Sequence, residues 1–125
     1  MKSKLRKSLN DNKFVFTAET SPPDSGSKID VIDQVKSLKG LADAINVTDG
    51  AGANSHMSAL ATAAIIAEDG IEPILQFTTR DRNRIAIQGD LLGGWALNIP
   101  NILCLYGDEV KSGDQPEAKE VRDLD

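Results

Sequence analysis

Apolar positions along the chain fall into two alternating patterns: short unbroken clusters, and longer stretches in which they recur every third or fourth residue. Ser3–Leu9 is basic and predicts a helix. Phe14-Val15-Phe16-Thr17-Ala18-Glu19-Thr20 is rich in β-branched and aromatic residues and stops at Ser21-Pro22-Pro23, which predicts a strand running into a loop. Ser27 with Asp30 resembles a capping box; Ile29, Ile32, Val35 and Leu38 follow at helical spacing, and Gly40 supplies a stop. Ala42–Val47 predicts a second strand. The small polar loop Asp49–Asn54 then leads into a helix with the stripe Met57, Leu60, Ala61, Ala64 and Ile65, ended by Gly70. Pro73–Thr78 predicts a third strand. Arg80-Asp81-Arg82-Asn83 opens a helix carrying Ile85, Leu92, Trp95 and Ala96, and Pro100 marks its end. A fourth strand, Asn101–Tyr106, passes into Gly107-Asp108, and the polar remainder shows no period.

The order is helix, then strand and helix three times, then strand. The strands read as continuous apolar runs rather than alternating ones, which suits a parallel sheet covered on both faces. Two architectures fit this α/β pattern: a barrel of βα units, or an open doubly wound sheet. At 125 residues the chain suffices for a single domain, residues 1–125. With 40% apolar and 26% charged residues, disorder is not the default.

A net charge of −5 speaks against a nucleic-acid footprint, which needs clustered cations. No apolar run of leader or membrane-spanning length follows the basic start, so the profile is cytoplasmic with no membrane partner. The single cysteine, Cys104, lies in an apolar run and is expected to be a buried, inert thiol. With one histidine, His56, and one cysteine, no metal site of N/S type is expected. No GxGxxG, P-loop or GxSxG motif occurs.

Parallel α/β folds gather ligands at the carboxyl ends of their strands. Here each strand ends on or beside a polar residue: Glu19, then Thr48 and Asp49, then Gln76 and Thr78, then Asp108. The steps from Glu19 to Thr48, Thr48 to Gln76 and Gln76 to Asp108 are 29, 28 and 32 residues, so each βα unit delivers one polar group to a common rim. Glu19 sits among apolar residues, where an unpaired carboxylate is costly, and is a functional candidate. Thr48 and Asp49 serve equally as a turn and cap; Gln76 needs hydrogen-bond partners from a ligand or the backbone; Asp108 taken alone is an ordinary Gly-Asp turn. Thr79–Asn83 reads as either a phosphate site at a helix start or a network of ion pairs with an N-cap.

Phe16–Pro23 resembles the first-strand motif of methylenetetrahydrofolate reductases, in which a glutamate precedes paired prolines. Asn46–Ala51 is similar to the family's second-strand end and Leu105–Asp108 to its fourth. Gln76–Asn83, Gln88–Gly93 and the tail from Gly113 through Val121 and Asp123 resemble a bacterial and archaeal subgroup that includes reductases fused to or encoded beside methyltransferases.

The resemblance covers about residues 13 to 125. It implies the (β/α)8 TIM-barrel type, of which this chain supplies about the first four strands and three helices, a half-barrel. It also implies noncovalent FAD, with NADH, NADPH or another reduced donor as electron source, and reduction of methylenetetrahydrofolate to methyltetrahydrofolate, a one-carbon step towards methionine. Carried over by position, Glu19 is the general acid that protonates a folate nitrogen, with burial among strand residues as the means of keeping its proton. Thr48, Asp49, Ala51, Gln76, Tyr106 and Gly107 line the flavin, and Asp108 lies near both flavin and pterin as a second catalytic residue. Gln76 stands where a flavin-contacting histidine is common, and Tyr106 where an arginine is common.

A complete barrel of this type has eight strands and roughly 250 residues. The chain is therefore expected to be a fragment, one chain of a two-chain enzyme, or a half-barrel that forms a homo-oligomer. The other readings are a non-catalytic assembly subunit of a methyltransferase or corrinoid system, and a pterin-binding methyl-transfer domain without flavin.

Overall fold

A computed structural model of the protein describes residues 2–124. The elements are α1 (Lys4–Asn10), β1 (Thr17–Thr20), α2 (Lys28–Val35), β2 (Ala44–Val47), α3 (Ala59–Glu68), β3 (Pro73–Thr78), α4 (Arg84–Ala96) and β4 (Asn101–Leu105). Short 3-10 turns lie at Lys36–Leu38, Ala51–Ala53 and Val110–Ser112. Each helix begins where the sequence supplies an acceptor for its unpaired first amides. Ser3, Ser27 and Ser58 each accept from the amide three residues on, and Asn83 accepts from Ile85 and Ala86. Gly40 and Gly70 take the left-handed backbone that reverses the chain after α2 and α3, at φ of 82° and 83°.

All four strands are parallel and lie in the order β1-β2-β3-β4. A doubly wound sheet of the dinucleotide-binding type reverses its strand order and carries helices on both faces. Here the order never reverses, and one apolar cluster joins α2, α3 and α4 to a single face of the sheet. It comprises Val31 and Val35 of α2, Ile45 and Val47 of β2, Ala59, Ala63 and Ile66 of α3, Leu75 and Phe77 of β3, and Ile87 of α4, with Ile71 and Ile99 from the flanking turns. Sequential parallel strands with helices outside are the arrangement of a partial (β/α) barrel. Because successive strand residues point to opposite faces, the other face receives Glu19, Asn46, Thr48, Gln76, Thr78, Leu103 and Leu105.

α1 closes the amino-terminal edge of the sheet. Glu72, just before β3, accepts from the amides of Lys4 and Leu5 at 2.8 and 2.9 Å and from Asn101 Nδ2 at 2.9 Å, with the Ser3 hydroxyl 2.9 Å away. Burial pushes the Glu72 carboxyl up, but hydrogen bonds from Asn101, the two amides and Ser3 outweigh it and hold the group below its ordinary value.

Several elements differ from those the sequence predicts. The first strand begins at Thr17 rather than Phe14, because the Phe16 backbone is taken by Asp43: Phe16 N donates to Asp43 Oδ2, and Asp43 N to Phe16 O. The second begins at Ala44, since the amides of Leu41 and Ala42 turn back to the Leu38 carbonyl. Helix phases also differ. Ile29, Ala61, Leu92, Trp95 and Ala96 are exposed, as is Ile85 at 83%, while Val31, Ala59, Thr62, Ile66, Ile87 and Gly94 are buried. Cys104 is exposed, not buried, because β4 is an edge strand and among the described residues nothing packs over its outer half.

Candidate functional site

The carboxyl ends of the four strands gather most of the polar residues singled out by their spacing. Gln76 Nε2 donates to Glu19 Oε2 at 3.0 Å, across β2. Between them, Asn46 Nδ2 donates to the Ala18 carbonyl at 3.3 Å, and Thr48 Oγ1 donates to Ser21 Oγ at 3.1 Å. Gln76 and Thr48 are buried, whereas Glu19 is exposed. This corrects the expectation that Glu19 lies buried among apolar strand residues: β1 is an edge strand, and Glu19 points to the face that no helix covers.

Asp49 is spoken for by the protein itself. Its Oδ2 accepts from Thr78 N at 2.8 Å, Thr78 Oγ1 at 3.0 Å and Arg82 Nη1 at 2.6 Å. Arg82 reaches on to Asp90 at 3.1 Å, and its guanidinium carbon stands 4.4 Å from the Phe77 ring centroid. The Asp49 and Arg82 side chains are 10% and 15% exposed, so the pair is largely withdrawn from water. Burial alone pushes the Arg82 guanidinium down, but the hydrogen bond and charge of Asp49 and those of Asp90 raise it.

Arg80, 4% exposed, ties the loops after β2, β3 and β4 together. Its Nε and Nη2 form a two-pronged pair with Asp81, both at 2.8 Å, and Nη1 donates to the carbonyls of Gly50 at 3.3 Å and Asp108 at 3.2 Å. That hydrogen bond and charge hold the Asp81 carboxyl below its ordinary value. A Cβ on Gly50 would stand 2.5 Å from Arg80 Nη2, and Gly50 has φ of 58°, so the turn admits no larger residue without displacing the guanidinium. Asp108 Oδ2 accepts from Gly52 N at 2.7 Å, which pins the fourth strand end to the second. Of the two readings of Thr79–Asn83, the ion-pair network with an N-cap is the one observed.

The polar tail folds back over these loops. Asp114 accepts from Ser55 N, Val121 N donates to the Arg80 carbonyl at 2.7 Å, and Arg122 donates to the carbonyls of Tyr106 at 2.9 Å and Gly107 at 3.4 Å. His56 pairs with Asp24 at 2.7 Å rather than joining a cluster, and no group of three or more His, Cys, Asp or Glu among the described residues could hold a metal. No helix among them is long and apolar enough to cross a membrane.

One cavity of about 290 Å³ opens at the strand ends, lined by Thr48, Asp49, Ala51, Gln76, Thr78, Leu105, Tyr106, Gly107 and Asp108. Every residue that the sequence marked for cofactor contact borders it. Glu19 does not, and is joined to it only through Gln76. The donor set suits a flat, polar-edged ring. Gln76 gives one amide hydrogen to Glu19 and keeps its carbonyl and second hydrogen, while Leu105 and Tyr106 offer apolar surface.

Sequence reasoning missed Arg122. It also left Arg80 and Arg82 undecided between a phosphate site and ion pairing, since apart from Asp81, Asp90 and Thr78 their side-chain partners lie 28 to 33 residues away along the chain. A run of Arg-Asp-Arg at a strand-to-helix junction was the available signal.

A family model described as methylenetetrahydrofolate reductase matches residues 4–125, and the chain belongs to that family. No curated protein matches the chain.

Proposed function

We propose that this chain supplies the first four strands of a (β/α)8 barrel that reduces 5,10-methylenetetrahydrofolate to 5-methyltetrahydrofolate with FAD, drawing electrons from NADH or NADPH in the cytoplasm. The observation that carries the reading is the convergence of Thr48, Asp49, Ala51, Gln76, Tyr106, Gly107 and Asp108 on one cavity at the carboxyl ends of the strands. Family membership supports an oxidoreductase acting on a folate.

In this reading Thr48, Gln76, the Gly107 backbone, Tyr106 and Leu105 would hold the flavin. FAD bound there would supply the hydride chemistry of the reduction. Glu19 donates a proton to a folate nitrogen as the methylene bridge opens, with Gln76 holding Oε2 so that Oε1 carries the proton towards the substrate. Asp108, fixed by Gly52, presents its second oxygen to the pterin. Asp49 acts one step back: its carboxylate is committed to Arg82 and Thr78 and keeps the rim rigid.

The open edge of β4 and the uncovered polar face call for four further strands, from a second chain, a second copy or a continuation of this one. An absorbance spectrum of the purified chain in the near-ultraviolet and visible, together with its mass by light scattering, tests the proposal. A flavin spectrum on a dimer supports it. A chain that is colourless and takes up no added FAD, even with a complementary half-barrel, overturns the flavin assignment.

A further inference from the structure

Tyr106 belongs to two cavities at once. It lines the strand-end cavity and also a larger groove of about 620 Å³ formed with the tail, whose walls include Val110, Pro116, Glu120 and Arg122. Arg122 borders only the second. Its guanidinium carbon stands 3.6 Å from the Tyr106 ring centroid, so the cation covers one ring face, while Tyr106 itself is still 55% exposed.

The guanidinium is itself fixed. It donates to the Tyr106 and Gly107 carbonyls, and its Nε donates to Glu120 Oε2 at 2.7 Å. Glu120 accepts in turn from Val110 N at 3.0 Å, and the neighbouring Val121 amide is held by Arg80. A flexible arginine thus becomes a rigid plate, and the phenol ring beneath it becomes the partition between the two cavities.

We infer that Arg122 is a positioning residue for the planar ring of the ligand: it holds Tyr106 in one orientation, blocks the ring face on the groove side, and leaves the other face to stack on a fused ring in the strand-end cavity. The inference rests on the proposed flavin site for its ligand, but the positioning of Tyr106 stands or falls by itself. Arginine is suited to the task because its planar fork stacks and donates at once, which a lysine cannot do.

The chain has a single tyrosine, so Tyr106 reports alone. In the 125-residue protein with ¹³C-labelled tyrosine, ring signals and Val121 amide exchange are compared among the unaltered chain, Arg122→Leu, Arg122→Lys and Tyr106→Phe. Riboflavin and FAD are then titrated and the fluorescence of the bound flavin is read, since a stacked tyrosine quenches flavin emission and phenylalanine does not. The unaltered chain should show one ring orientation and strong quenching. Arg122→Leu should weaken the orientational preference on the order of tenfold and raise bound-flavin emission severalfold, with the Val121 amide still protected. Arg122→Lys should fall between, and Tyr106→Phe should be brightest.

Equal ring signals and equal quenching in Arg122→Leu would overturn the inference. Loss of Val121 protection in Arg122→Leu would also overturn it, by showing a general tail latch instead. If neither riboflavin nor FAD binds, even with a complementary half-barrel present, the flavin site proposed for this chain is removed, while the ring signals still decide whether Arg122 positions Tyr106.

Discussion

The side-chain amide of Gln76 donates to Oε2 of Glu19 at 3.0 Å, joining a buried residue of β3 to an exposed carboxyl on β1 over the strand between them. The contact makes a pair of two residues that the sequence presents 57 positions apart. Glu19 by itself would turn freely on an edge strand. With Gln76 it has one oxygen held and the other without a protein partner among the described residues.

In an assembled barrel, Glu19→Gln is expected to leave the flavin spectrum unchanged and to lower folate turnover by about 10² to 10⁴-fold, the usual share of a general acid. Gln76→Leu should lower turnover by a smaller factor through loss of the fixed carboxyl. Unchanged turnover in Glu19→Gln would remove this residue from the chemistry.

Asp49→Ala strands the Arg82 guanidinium, 15% exposed, without its principal counter-charge. The expected loss is about 3 kcal/mol of stability by urea unfolding, because removing one partner of a buried pair leaves the other uncompensated. A loss no larger than that of an ordinary surface substitution would contradict the role assigned to Asp49.

Cys104 is the only cysteine, and it lies exposed on the edge strand. A small alkylating reagent should modify it rapidly in the isolated chain and much more slowly once further strands cover β4. Slow labelling of a chain shown to be monomeric would mean that the edge is covered by some other means.

The tail carries its own acid response. The hydrogen bond from Arg122, supported by the amide of Val110, holds the Glu120 carboxyl down from its ordinary 4.5 to about 2. A depressed carboxyl stabilises the fold above its unfolded value, and the contribution is lost as pH falls through the folded one. The Glu120–Arg122 contact should therefore be at full strength above pH 4.5 and vanish as pH falls through about 2. Glu72 is lowered as well, so the docking of α1 should weaken in the acid range below 4.5. Amide signals of Val110 and Leu5 followed against pH would check both, and release of either segment well above pH 4.5 would contradict the assignment.

The sequence by itself determined the order of elements and where polar residues meet the strand ends. The six residues Pro73–Thr78 form the strand that their apolar run predicts, and Ser3, Ser27 and Asn83 cap helices near their predicted starts. These are short-range matters, fixed by residues within one turn of each other. The helix faces were not legible in the same way. In α4 the apolar positions Ile85, Leu92 and Trp95 line up at helical spacing, yet Ile87 and Gly94 turn inward. An apolar helix offers more than one acceptable stripe, and the sheet it packs on selects the phase. Charge partners escaped for a related reason. Asp49 with Arg82, Arg80 with the Gly50 and Asp108 carbonyls, and Arg122 over Tyr106 join loops that become neighbours only when parallel strands deliver them to the same rim. The exposure of Glu19 and Cys104 follows from their place on edge strands, a property of the sheet as a whole that no stretch of the chain carries locally.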